Sequence, residues 1–69
     1  MNQLLLDYTL KAKGVSRETL AQTQGWSAAT TTRRLNGRNP WTVDEVRNLQ
    51  RLGFTLEDVE KIFFNDSVS

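Results

Sequence analysis

The sequence predicts an all-α domain of five short helices. Three observations predict it. First, Gly14-Val15-Ser16, Gly25-Trp26-Ser27, Pro40-Trp41-Thr42 and Gly53-Phe54-Thr55 each set a small or stiff residue, an apolar residue and a hydroxyl in a row. Glycine takes the left-handed conformation that ends a helix, and a Ser or Thr oxygen accepts from the free amides that open the next. The apolar residue between them is placed to pack on the fourth residue of the new helix. That rule pairs Val15 with Leu20, Trp26 with Thr31, Trp41 with Val46 and Phe54 with Val59. Second, apolar residues between these triplets recur at helical spacing. Third, Thr42-Val43-Asp44-Glu45 is a capping box, and Thr55-Leu56-Glu57-Asp58 is a variant with Asp in the reciprocal position.

The elements follow in order. The first helix spans about residues 2–12, with Leu4, Leu5, Leu6 and Leu10 giving a broad apolar side. Lys11 and Lys13 suit its negative end, and Gly14 stops it. The second runs from a Ser16 cap to Gln24. The third runs from a Ser27 cap to Asn36, and Gly37 ends it. Arg38-Asn39-Pro40 is a loop, because Pro restricts both itself and the residue before it. The fourth helix presents Val43, Val46, Leu49 and Leu52 on its apolar side, and Gly53 closes it. The fifth presents Leu56, Val59, Ile62 and Phe63 on one face. Residues 65–69 carry no helical signal and are expected to fray as a flexible tail. Residues 1–64 are thus read as one domain.

Composition narrows the function classes. A 69-residue chain buries only about 60% of its unfolded surface, so its core is thin. It has no Cys and no His, which removes thiolate chemistry, the usual metal ligand and the usual general base. No stretch nears the ~20 apolar residues that span a bilayer. Leu4-Leu5-Leu6 is too short for a signal peptide. The expectation is an intracellular protein without cofactor, metal or membrane partner. The acid pairs Asp44-Glu45 and Glu57-Asp58 stand in first turns, where they cap helices, so no enzyme is expected. Trp26 and Trp41 stand at staple positions and are read as core, not as base-stacking platforms.

The net charge of +1 hides an asymmetry. Residues 1–41 hold six basic against two acidic side chains, and residues 42–69 hold three against six, giving +4 and −3. A basic first half suits a polyanion.

Residues 17–35 carry a more specific pattern: Leu20 and Ala21, then Gly25 four residues later, then Trp26, then Leu35-Asn36-Gly37. This stretch resembles the helix-turn-helix of the lambda-repressor-like and Cro-like family. The resemblance covers residues 3–64, since a leucine-rich helix precedes the motif and two capped helices follow it. The ending Ile62-Phe63-Phe64 is similar to that of short phage Cro-type regulators. Gln24, Thr31 and Arg34 depart from the pattern, standing where the family places aliphatic residues. Thr31 is expected to bury its methyl and bond its hydroxyl back to the helix. Gln24 and Arg34 are expected to lay their stems along apolar surface.

The resemblance implies a compact five-helix domain whose second and third helices form the helix-turn-helix. It implies a sequence-specific transcriptional regulator, a repressor that binds an operator in double-stranded DNA inside a bacterial host cell. The third helix then enters the major groove, and Ser27, Ala28, Ala29, Thr32 and Arg33 become the base readers. Arg33 is the one long donor fork, suited to guanine, while Ala and Thr methyls suit thymine methyls. Phosphates fall to Ser16 and Arg17 at the start of the second helix, and to Asn36, Arg38 and Asn39 across the groove. So small a module needs a symmetric, weak dimer assembled on DNA, with half-sites ~34 Å apart. Phe63, Phe64 and Val68 are the apolar candidates for its contact. An alternative is an antirepressor-type module that binds a partner repressor through the same small-residue surface.

Overall fold

The computed structural model describes residues 1–64. Among them five α-helices form and no strand does. They are α1 (Gln3–Ala12), α2 (Arg17–Gln24), α3 (Ala28–Leu35), α4 (Val43–Asn48) and α5 (Leu56–Val59). A 3-10 turn, Leu49–Leu52, continues α4, and a wider π turn, Glu60–Phe64, continues α5. The expected frayed tail, residues 65–69, lies outside the described residues. No helix of the described residues is long and apolar enough to cross a membrane.

The helix starts are set by side-chain caps. Ser16, Ser27, Thr42 and Thr55 accept from the Thr19, Thr30, Glu45 and Asp58 amides, and both expected capping boxes form. Asn2 adds a cap that the triplets do not announce: its Oδ1 accepts from the Leu5 amide at 3.0 Å. The first helix therefore begins at Gln3, one residue later than expected.

The stops share one device. Val15, Trp26, Arg38 and Phe54 donate their amides to the carbonyls of Leu10, Ala21, Arg33 and Leu49 at 2.9–3.2 Å. Each bond reaches back five residues around a glycine, the Schellman closure. In three cases the donor is the apolar residue of a triplet. The fourth is Arg38, because α3 ends at Gly37, three residues before Pro40. The third triplet is therefore a start only.

Leu6, Leu10, Leu20, Leu49, Phe54, Val59 and Ile62 form the core. Leu6, Leu20, Leu49 and Ile62 are fully buried, each contributing about 1.5–3 kcal/mol of transfer free energy. The Asn2 amide donates to the Ile62 carbonyl at 2.7 Å, tying the start of α1 to the end of the chain's last helix. Trp26 and Trp41 pack against the core as expected. Their rings meet edge to face at 5.0 Å, and Trp41 meets Phe63 at 5.1 Å.

Three expectations about faces need correction. Leu4 is 84% exposed, so the apolar side of α1 is narrower than four leucines suggest. Thr9 is buried in its stead, with its hydroxyl donating to the Leu5 carbonyl at 2.7 Å. Val43 and Leu56 are exposed and do not join the inner faces of α4 and α5. Both occupy the first helical position after a cap, outside the turn that the core grips.

Candidate nucleic-acid interface

The turn between α2 and α3 is short because Gly25 sits at φ 74°, a conformation that costs other residues about 1–2 kcal/mol. The Trp26 amide closes α2 on the Ala21 carbonyl at 2.9 Å. One residue later the Ser27 hydroxyl opens α3 by accepting from the Thr30 amide at 3.2 Å.

The outward side of α3 is small and wet. Ser27, Ala28, Ala29 and Arg33 are exposed, and Thr32 is half-buried. The Thr32 hydroxyl donates to the Ala28 carbonyl at 3.2 Å and accepts from Arg17 Nη1 at 3.2 Å. Arg17 and Thr32, expected to serve phosphate and base separately, are thus in direct contact. They share a shallow groove with Ala21, Gln22 and Ala28 between the two helices.

The expected phosphate residues divide between two places. Ser16, Arg17 and Asn36 line one groove together with Gln3 and Lys11 of α1. Arg38 and Asn39, both exposed, line a different groove beside Trp41 on the α3–α4 loop. Lys11 and Gln3 were not foreseen. Lys11 had been assigned to the helix end alone, although it lies beside Arg17 in space and pairs with Asp7 at 3.2 Å on an exposed surface. Arg17, Arg33 and Arg38 make no ion pair among the described residues. Their charge is therefore open to an anion.

The inner side of α3 is fixed by polar bonds as much as by apolar packing. Thr31 is 2% exposed, and its hydroxyl donates to the Ser27 carbonyl at 2.8 Å, as expected. Arg34 points inward and forms a hydrogen-bonded ion pair with Glu45, with 18% and 15% of the two side chains exposed. Its guanidinium also lies 5.4 Å from the centre of the Trp26 ring. The Trp41 indole donates to the Arg34 carbonyl at 3.1 Å. Gln24 does more than lay its stem on apolar surface. Its Nε2 donates to the Glu45 carbonyl at 2.7 Å, and its Oε1 accepts from Asn48 at 3.0 Å.

Glu45 is the residue that sequence reasoning undervalued. It was read as a capping acid, and it does accept from the Thr42 amide at 2.8 Å. Its Oε2 also accepts from Trp26 Nε1 at 2.9 Å. Burial opposes its charge, but the Thr42 amide, the Trp26 indole and the Arg34 guanidinium together outweigh that cost and hold its carboxyl below the ordinary value. The signal lay in the departures: Gln24 and Arg34 put donors where aliphatic residues were expected, and donors facing inward need an acceptor.

Of the dimer candidates, Phe63 is half-buried against Trp41, Phe64 is 66% exposed, and Val68 lies outside the described residues. No family model, curated protein or solved structure matches the chain.

Proposed function

We propose that the protein is a sequence-specific DNA-binding transcriptional regulator of the lambda-repressor-like type, a Cro-like repressor that acts as a dimer. In this reading α2 and α3 form the helix-turn-helix, and α3 lies in the major groove of an operator. One observation carries the reading. The outward residues of α3 are small, exposed and flanked by unpaired guanidiniums, while its inner side is bonded to the rest of the domain at both ends. A helix held so firmly and left so bare on one side suits a surface that it must enter without clashing. Small residues let the backbone approach base edges, Arg33 supplies a donor fork, and Ala28 and Ala29 offer methyls to thymine. Arg17, with Ser16 and Asn36, would clamp one phosphate strand, and Arg38 with Asn39 the next. The basic first half supplies long-range attraction.

Salt dependence of duplex binding tests the reading. Displaced counterions make affinity for DNA fall steeply between ~50 and ~200 mM salt. A chain that ignores duplex DNA at ~50 mM salt, yet binds a repressor protein with shallow salt dependence, would instead be the protein-binding module.

A further inference from the structure

The groove behind the α3–α4 loop encloses about 650 Å³, with Trp41, Val46 and Phe63 in its wall. Val43, Leu56 and Phe64, among the most exposed large apolar side chains of the described residues, also line it. Its charged lining is one-sided: Arg38 and Arg47 belong to it and no carboxylate does. On its other flank, Phe64 sits among Glu57, Glu60 and Lys61. Lys61 pairs with Glu57 at 3.5 Å. Arg47 and Glu60 form no ion pair among the described residues. An apolar strip therefore runs from an unpaired cation to an unpaired anion.

We propose that this strip is the contact face between two copies of the chain, related by a two-fold axis. Phe64 of each copy enters the groove of the other, and Glu60 of each meets Arg47 of the other. A two-fold contact presents one patch to itself, so the patch must be self-complementary. An apolar middle with opposite charges at its ends meets that condition, because the rotation lays each end on its opposite. Covering the strip also removes exposed apolar surface from both copies at once. The groove is continuous with the proposed DNA face, since Arg38 and Asn39 belong to both. The dimer axis would then lie beside the duplex. The proposal rests on the DNA-binding reading for its purpose, but association is measured without DNA, so the two fail separately.

Sedimentation velocity of the full chain, followed up to about 1 mM, tests it. The wild type is expected to pass from monomer to dimer. Arg47→Glu alone and Glu60→Arg alone each weaken association about tenfold or more, by setting like charges against each other twice. An equimolar mixture of the two variants restores a dimer, because both contacts then pair opposite charges. Phe64→Ser abolishes association while circular dichroism keeps the wild-type helical signal, since that side chain is exposed. A wild type that stays monomeric to about 1 mM overturns the proposal. So does a dimer indifferent to both reversals, a mixture that does not restore pairing, or open-ended growth. The last would mark head-to-tail docking of another surface, such as Leu4 and Tyr8 of α1.

Discussion

The indole of Trp26 donates to Glu45 at 2.9 Å, joining the residue just before the cap of α3 to the first turn of α4. The same carboxylate takes the guanidinium of Arg34 in the last turn of α3. One acid therefore grips both ends of the helix whose outer side is proposed to read DNA.

Neutralising that acid has a pH signature. The folded chain holds the Glu45 carboxyl below its ordinary value of 4.5. The unfolded chain therefore takes up the proton first as pH falls. The stabilisation is complete above about pH 4.5 and is lost as pH drops through the lower folded value. Glu45→Gln is expected to cost about 1–3 kcal/mol at pH 7, by weakening charged hydrogen bonds in a half-buried site. The gap to wild type closes toward pH 3, where both side chains are neutral. Urea unfolding of both proteins from pH 3 to 7 measures this. Asp58, also held below its ordinary value, by the Thr55 amide and by Lys13, titrates in both and cancels in the comparison. A gap of equal size at pH 3 and pH 7 would remove the charge from the explanation.

Thr31→Val should be nearly neutral, within about 1 kcal/mol. The side chain is buried, but the Ser27 carbonyl that it serves also accepts the Thr31 amide at 2.9 Å. Deleting the hydroxyl leaves no acceptor unmet, and valine fills the same volume. Thermal melts of the two proteins decide it, and a loss above about 2 kcal/mol would show that the hydroxyl has a further partner.

Gly25→Ala isolates backbone strain. An added Cβ meets nothing within 4 Å, so space is not at issue, but φ is 74°. The expected cost is about 1–2 kcal/mol, and each kcal/mol lowers the melting temperature by about 4–8 °C in a domain of this size. A melting temperature unchanged within about 1 °C would mean that the turn relaxes freely.

These cases show which parts of the fold the residue string makes visible. Gly14, Gly25 and Gly53 with their following hydroxyls are local devices, acting within five residues of the backbone, so the stops and starts of the helices can be read directly. Glu45 is bonded to Gln24, Trp26 and Arg34, which lie 11 to 21 residues earlier in the chain. No periodicity encodes that meeting, which depends on how α2, α3 and α4 pack. The π turn of Glu60–Phe64 escapes the same way. A 3.6-residue count sets Phe63 beside Leu56, whereas the wider turn sends Phe63 to Trp41 and leaves Phe64 outside. For the candidate site, the small exposed residues of α3 were legible from their position after Ser27. The contact of Arg17 with Thr32 was not, because it spans two helices.

Arg33 and Arg17 should fail differently. Arg33→Ala is expected to cost about 1–3 kcal/mol of DNA affinity and to relax preference at one base position. Arg17→Ala should weaken all duplexes alike and reduce the salt slope by about 1. Fluorescence titrations against single-base operator variants separate the two. Identical profiles for both variants would erase the division between reader and positioner.

The central claim is that α3 reads a DNA sequence, and selection of bound duplexes from a random pool tests it most directly. The account predicts enrichment of a palindrome with half-sites about 10 base pairs apart, centre to centre. Arg33→Ala should then lose the preference at one position in each half. A pool that emerges as random as it entered, from a folded chain at ~50 mM salt, would contradict the account.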